Sequence, residues 1–143
     1  MIELYNQDCI EVLKDIPDKS IDLIITDPPY QINSTQTGNK SEFNISFQKM
    51  NDQIEKYNLC KSYNPAILDE LIRVMKKINI YIWCNGKQIQ MYIDKFVKEH
   101  KCKFDIIIWQ KKNAPPTYNN KYLTDKEFCL YFRRGGVLPT NRL

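Results

Sequence analysis

Glycine, histidine and long apolar runs are scarce in this 143-residue sequence. Only four glycines occur, and the sole adjacent pair is Gly135-Gly136. No apolar run reaches the roughly 20 residues of a membrane-spanning helix, and no signal peptide opens the chain, so no membrane role is expected. The composition, 43% apolar and 27% charged, is instead that of one globular domain with a core.

Cysteine and histidine do not occur in metal-binding patterns. The five cysteines stand at positions 9, 60, 84, 102 and 129 without a CxxC pair, and His100 is the single histidine. An odd number of dispersed cysteines argues against a disulfide framework, and one histidine argues against a zinc site. We therefore expect no metal and a reducing, cytoplasmic location.

The charge balance is mildly basic. The net charge is +4, from 21 basic and 17 acidic residues. This excess permits nucleic-acid binding without demonstrating it. Stretches rich in lysine, asparagine and tyrosine at 31–63 and 110–122 are the candidates for such a surface.

The first thirty residues predict a strand, a short helix and a second strand. Residues 2–5 (IELY) predict the first strand, and 21–26 predict the second, which is nearly continuously apolar, as in a parallel sheet covered on both faces. Asp8 and Glu11 form a capping box for the helix, which ends at Pro17. This order predicts an α/β domain. The apolar face of the helix comprises Cys9, Ile10, Leu13 and Ile16.

The rest of the chain continues the alternation after a polar stretch at 31–63. That stretch predicts a long loop holding a short helix near 50–57. Asn64-Pro65 combines an N-cap with a proline at the first helical position. The further elements are a helix at 87–99 and strands at 80–84, 104–109 and 126–132. The two helices are expected to bury Ile67, Leu68, Leu71, Ile72 and Met75, and Ile89, Tyr92, Ile93, Phe96 and Val97.

The segment "IDLIITDPPYQIN", residues 21–33, carries the clearest chemical signal. Ligands of open α/β sheets bind beyond the carboxyl ends of the strands, where Asp27 is expected. Pro28 and Pro29 have fixed φ and no N–H, so their carbonyls remain as rigid acceptors beside the carboxylate. Tyr30 adds a flat face for stacking. An isolated Asp-Pro would be interpreted as a turn cap, but the four residues together suit a planar ring bearing an amino group.

These residues resemble the catalytic motif of the amino-group DNA methyltransferases. The opening "IELYNQDCIEVLKDIPDKSIDLIITDPPY" is similar to the permuted class whose catalytic half comes first. The resemblance continues through "LIRVMKKINIYIWC", "FDIIIWQKKNAPPTY" and "KEFCLYFRRGG", so it spans nearly the whole chain. It implies an α/β, Rossmann-like methyltransferase sheet, truncated and mostly parallel, with an antiparallel hairpin at the C-terminal end.

The resemblance also implies a reaction and residue roles. A methyl group passes from S-adenosylmethionine to the amino group of a base flipped out of DNA. Asp27 and Pro28, with Pro29, would hold the amino group, and Tyr30 would stack on the base. Aspartate rather than serine at position 27 favours adenine over cytosine.

Further family positions concern the cofactor and the substrate. Asp8 and Cys9 match positions at the cofactor's adenine ring, with Asp27 nearby; a capping role for Asp8 and a core role for Cys9 stay open. The substrate candidates besides Tyr30 match a loop near the flipped base or its phosphates, although loop lysines are often only solvated. They are Lys111, Asn113 and Pro115. Trp83 and Trp109 are expected in the core.

The family's glycine-rich cofactor turn, Phe-x-Gly-x-Gly, does not occur in the sequence. We therefore expect residues 1–143 to form a single catalytic subdomain without that turn or a target-recognition region, with weak cofactor binding and little activity alone. A second chain could supply the missing half. In the family's sheet two strands from that half separate 2–5 from 21–26. Here we expect 2–5 to pair directly with 21–26; the alternative is a bare edge at 21–26, open to a partner.

Other functions remain open at this stage. The chain could be a non-catalytic nucleic-acid-binding remnant of the fold. The same acceptor cluster could also act on a cytosine, an RNA or a protein amide. The motif alone does not identify the macromolecule.

Overall fold

The computed structural model describes residues 2–30, 66–114 and 122–135, together with Lys49 and Asp52. Helices and strands alternate along these parts of the chain until two consecutive strands at the end, which confirms the predicted α/β class. The predicted loop at 31–63 and its helix near 50–57 lie outside the described residues, apart from those two positions. In chain order the elements are helix α1 (Cys9–Asp15), strand β1 (Ile24–Thr26), helix α2 (Ala66–Val74), strand β2 (Ile78–Cys84), helix α3 (Ile89–Tyr92) with a π-helical continuation (Ile93–Glu99), strand β3 (Lys103–Gln110) and strand β4 (Lys126–Arg134).

The four strands form one mixed sheet in the order β1-β2-β4-β3. Strand β1 pairs in parallel with β2, with Thr26 opposite Ile82. Strand β4 runs antiparallel to both of its neighbours, β2 and β3. Three strands therefore point the same way and β4 is reversed. The antiparallel C-terminal hairpin is confirmed, but the described sheet is mixed, because only β1 and β2 form a parallel pair.

One face of the central strand β2 forms the core. Ile80, Ile82 and Cys84 alternate along that face and are fully buried. The buried residues of the helices join them in a single hydrophobic cluster. Ile72 of helix α2, which was expected to be buried, is only partly buried. The helix buries Ile67, Leu68, Leu71 and Val74, and Met75 follows.

The predicted helix at 87–99 changes its hydrogen bonding part-way along. It begins as α-helix at Ile89 and continues as π-helix from Ile93 to Glu99. Tyr92 and Phe96 are buried, and the Phe96 ring stacks on Phe132 of β4 with 4.7 Å between centroids. The wider π turn therefore still directs its aromatic side chain into the core.

Helix α1 is fixed at both ends. The Asp8 carboxylate accepts a hydrogen bond from the Ile10 N–H (2.8 Å), which confirms its capping role. Glu11 instead pairs with Lys14 at 2.8 Å. At the other end, Arg73 of α2 donates to the carbonyls of Leu13 (2.7 Å) and Ile16 (3.0 Å). A guanidinium on the last carbonyls also complements the negative end of the helix dipole.

The predicted strand at 2–5, and its pairing with 21–26, are wrong. Residues 2–5 form no ladder, and the side chains of Ile2 and Leu4 are 89% and 93% exposed. A strand needs ladder hydrogen bonds and a face to bury, and this segment has neither. Strand β1 pairs only with β2 among the described residues, and Ile25 is 68% exposed. The alternative, a bare outer edge, is what the described chain shows.

Candidate active site

The sheet topology brings one end of each of the four strands to the same edge of the sheet. Strands β1, β2 and β3 share a direction, so their carboxyl ends meet there, and the reversed strand β4 begins there. The residues following β1, β2 and β3 therefore lie beside the first residues of β4. This is the edge at which open α/β sheets bind ligands.

Residues 27–30 follow β1 directly and form the centre of the candidate site. Pro28 is buried, Pro29 and Tyr30 are half-buried, and Asp27 is exposed. The rigid pair of prolines therefore lies against the protein, while the carboxylate faces outward. This arrangement presents an acceptor to solvent on a stiff backbone.

Gln88 holds this loop in place, and sequence reasoning missed it. Its side chain is only 1% exposed, and its amide Nε2 donates to the Pro29 carbonyl at 3.2 Å. Its Oε1 accepts from the Asn85 N–H, also at 3.2 Å, within the turn after β2. The Pro29 carbonyl is thus used internally, and Asp27 is the exposed acceptor of the loop. The polar turn after a buried strand was the available signal.

Gln88→Leu tests this clamp, because leucine is similar in size but cannot hydrogen-bond. We expect the free energy of unfolding, measured with urea, to fall by about 1–3 kcal/mol, since two partly buried backbone groups lose a partner and the buried Gln88 side chain no longer bridges them. Gln90→Leu is the matched control, because Gln90 is exposed and bonds only Asp94 in the next turn among the contacts seen. We expect its effect to stay within about 0.5 kcal/mol. Equal effects of the two variants would contradict a clamping role.

Tyr30 connects the loop to β4. Its hydroxyl donates a long hydrogen bond, 3.5 Å, to Oε2 of Glu127. Burial raises the pKa of the Tyr30 hydroxyl well above its usual range, and the negative charges of Asp27 and Glu127 raise it further. The phenol therefore stays protonated and acts as a hydrogen-bond donor between two carboxylates.

Lys111 enters the site from the end of β3. Its ammonium group forms an ion pair with Glu127 and lies 5.6 Å from the centroid of the Trp109 ring. The Lys111 N–H donates to the Asp125 carbonyl at 2.6 Å, which joins the end of β3 to the start of β4. Lys111 is therefore held by Glu127 and Asp125 and lies near the Asp27–Tyr30 loop.

Trp109 corrects an expectation. It was placed in the core, but its side chain is 53% exposed, because β3 is an edge strand of the sheet. Trp83 of β2 is half-buried and meets Trp109 edge to face, with 6.5 Å between centroids. Trp109 thus belongs to the surface around the site.

The other candidate residues are less closely connected. Asp8 and Cys9 are exposed at the start of α1, and the hydrogen bonds and ion pairs that fix the Asp27 loop within the described residues do not include them. Asn113 is exposed in the turn after β3. Pro115 lies outside the described residues. The structure therefore brings together Asp27–Tyr30 and Lys111, with Glu127 between them.

The cysteines around the site are not nucleophiles. Burial raises the pKa of the Cys84 thiol to about 12. Burial and then the charge of Asp27 raise the pKa of the Cys129 thiol. At neutral pH both remain thiols, and the thiolate is the reactive form.

Within the described residues, no group of three or more histidine, cysteine or acidic side chains is placed to hold a metal ion. No helix of these residues has the length and apolarity to cross a membrane.

Comparison with known proteins gives a family match. A family model described as DNA methylase, of the N6/N4 methyltransferase type, matches residues 21–141. Among curated proteins, the type II methyltransferase M2.MboI of Moraxella bovis is 27% identical over 95% of this chain and 51% of its own length. The type II methyltransferase M.HinfI of Haemophilus influenzae is 31% identical over 78% of this chain and 32% of its own. The chain thus spans about half, or less, of these two relatives.

Solved structures share the fold. The crystal structure of M1.HpyAVI superposes with a TM-score of 0.59 at 22% identity, covering 100% of this chain and 63% of that one. The crystal structure of an M1.HpyAVI–SAM complex gives a TM-score of 0.51 at 26% identity, covering 100% and 62%. The similarity in fold confirms the predicted Rossmann-like sheet.

Proposed function

Because the chain belongs to the DNA methylase family whose model it matches, we propose that it forms the catalytic portion of a DNA adenine methyltransferase. In this reaction a methyl group passes from S-adenosylmethionine to the exocyclic N6 amino group of a flipped adenine. One observation carries the proposal: the Asp27–Tyr30 loop stands at the ligand-binding edge of the sheet, with its carboxylate exposed and its prolines packed.

Asp27 and Pro28 supply the hydrogen-bond acceptors for the amino group. The nitrogen of an aromatic amine is a poor nucleophile, because its lone pair is delocalised into the ring. Two acceptors that bind its two hydrogens favour a pyramidal nitrogen with an available lone pair. A hydrogen bond to a charged group contributes about 1.5–3 kcal/mol. The exposed carboxylate is also an acceptor for the proton that the methylated nitrogen must lose.

Tyr30 supplies the stacking surface. Its ring is half-buried and its hydroxyl is held at Glu127, so the orientation of the ring is set from one end. A fixed aromatic face suits a base that has left the duplex, and stacking on such a face is worth about 1–3 kcal/mol per base. Lys111 and Asn113, at the end of β3, are proposed to contact the flipped nucleotide, and so is Pro115.

For the cofactor we propose Asp8, Cys9 and Asp27 as contacts. All three are exposed, and the Asp8 carboxylate is oriented by its hydrogen bond from the Ile10 N–H. An oriented carboxylate can accept hydrogen bonds from ribose or adenine groups. When bound, S-adenosylmethionine supplies an electrophilic methyl group. The crystal structure of an M1.HpyAVI–SAM complex, which shares the fold, supports this choice of cofactor by analogy.

The test is transfer of radiolabelled methyl from S-adenosylmethionine to DNA, with the methylated nucleoside identified by mass spectrometry. We expect N6-methyladenine; N4-methylcytosine would contradict the adenine assignment alone. Parallel reactions contain RNA, a protein acceptor mixture, or DNA plus the product of a neighbouring reading frame. Label in RNA or protein but not in DNA would overturn the proposal. Salt-sensitive DNA binding without transfer under any of these conditions would favour the non-catalytic alternative.

A further inference from the structure

Glu127 lies between Tyr30 and Lys111 and contacts both side chains. It is the second residue of β4, and it contacts two residues that are far from it in sequence. Its Oε2 accepts from the Tyr30 hydroxyl at 3.5 Å, and its Oε1 pairs with the Lys111 ammonium. The Glu127 side chain is only 21% exposed and that of Lys111 32%, so the pair is partly shielded from water. Charged hydrogen bonds in such surroundings are stronger than on an open surface.

The Tyr30 hydroxyl has one hydrogen to donate but two carboxylates beside it. Besides burial, the negative charges of Asp27 and Glu127 both raise the pKa of the phenol, and Asp27 raises it also as a hydrogen-bond partner of the hydroxyl, so the two carboxylates compete for one hydrogen. If the hydrogen went to Asp27, it would occupy one of the acceptor oxygens that an amino group needs. If it goes to Glu127, both oxygens of Asp27 stay available.

The surroundings of Glu127 favour the second arrangement. Lys111 balances its charge and holds it in place. Lys111 is itself fixed, by its N–H on the Asp125 carbonyl and by the Trp109 ring below its ammonium group. Asp27, in contrast, is exposed and faces solvent. A fixed, paired acceptor orients a donor better than a solvated one, because less side-chain freedom is lost.

We infer that Glu127 is a positioning residue, which turns the Tyr30 hydroxyl away from Asp27 and so leaves the Asp27 carboxylate free for the target amino group. The inference rests on the proposed function. It assigns Glu127 an effect on the methyl-transfer step through Tyr30, without contact between Glu127 and the reacting atoms.

The first test measures the contact itself. The full chain is labelled with 3-fluorotyrosine, and the Tyr30 signal in the ¹⁹F NMR spectrum is identified by its absence in Tyr30→Phe. In Glu127→Gln we expect this signal to shift at neutral pH and its ionisation midpoint to move to lower pH, because one negative charge is removed from the phenol. Glu99→Gln is the matched control, since Glu99 is ion-paired with Lys95 at the end of the helix before β3. It should leave the signal unchanged. An unchanged signal in Glu127→Gln would overturn the inference.

The second test separates positioning from structure. In Glu127→Gln we expect kcat for methyl transfer to fall about tenfold, the effect of losing one charged hydrogen bond, while KM for S-adenosylmethionine stays within about twofold. Tyr30→Phe removes the competing hydroxyl but keeps the ring, so it should lose little kcat, and adding Glu127→Gln to it should then cause no tenfold loss. Glu127→Asp should recover part of the rate.

The outcomes distinguish the inference from the function beneath it. A shifted Tyr30 signal with an unchanged kcat in Glu127→Gln, or a tenfold loss when Glu127→Gln is added to Tyr30→Phe, would overturn the positioning role alone. An unmutated chain that transfers no methyl group under any assay condition would overturn the proposed function, and the positioning role with it. Because Tyr30→Phe leaves Glu127 in place, its kcat tests the inference even if Glu127→Gln folds poorly: a tenfold loss in Tyr30→Phe would show that the hydroxyl does not compete for Asp27.

Discussion

Asp27→Asn is expected to reduce methyl transfer by about 100-fold or more, with little change in the stability of the chain. Asparagine has the shape of aspartate but lacks its charge, and its amide nitrogen presents donors where the target amino group needs acceptors. Removing one fixed electrostatic contact at a reacting centre typically lowers kcat by about 10²–10³-fold. Asp27 is exposed, so the substitution leaves the core intact and the urea midpoint should move little. Labelled methyl transfer under saturating cofactor measures the effect.

Asp22→Asn is the matched control for this experiment. Asp22 lies five positions earlier, before β1, and pairs with Lys76 on the surface at 2.8 Å. Exposed ion pairs of this kind contribute little, about 0–1 kcal/mol, and this one lies away from the ligand-binding edge. We expect its methyl transfer to stay within about twofold of the unmutated chain. Full turnover by Asp27→Asn, or an equal loss in Asp22→Asn, would show that residue 27 does not hold the reacting group.

The sequence predicted the parts of this site that are local. A buried strand followed by Asp27–Tyr30 is a contiguous pattern, and its place at a strand end follows from the pattern itself. Gln88 reaches the loop from the turn after β2 and Glu127 reaches it from β4, and their contacts depend on the order β1-β2-β4-β3. Nothing in their immediate sequence indicates which strand lies next to which. Their roles therefore became visible only once the sheet was assembled.

The errors of prediction also have physical causes. Residues 2–5 have strand-like composition, but composition does not supply a neighbouring strand, and none of the described strands pairs with them. The apolar run at 104–109 predicted a strand correctly, yet every residue of β3 is exposed, because it lies at the edge of the sheet. The apolar patterns thus predicted which segments form helices and strands, but not how deeply each one is buried.

The largest effect on stability is expected for Phe132→Ala. Phe132 of β4 is fully buried, stacked on Phe96 and in contact with the Phe104 ring at 6.2 Å. Deleting a ring from such a position leaves a cavity, and we expect the free energy of unfolding to fall by about 3–5 kcal/mol. For a small domain this is a large share of the total, so the variant should be largely unfolded at low urea. Urea titrations followed by circular dichroism measure it.

Phe104→Ala provides the comparison, because Phe104 and Phe132 face each other in the β3–β4 ladder. Phe104 is 39% exposed, so the same substitution should cost only about 1 kcal/mol. The difference in the free energy of unfolding lost by the two variants measures how much less buried Phe104 of the edge strand β3 is than Phe132 of β4. Similar losses would mean that the apolar surface of β3 is covered in solution. If a second copy of the chain covered it, the melting temperature would rise with protein concentration, and Phe104→Ala would abolish that rise.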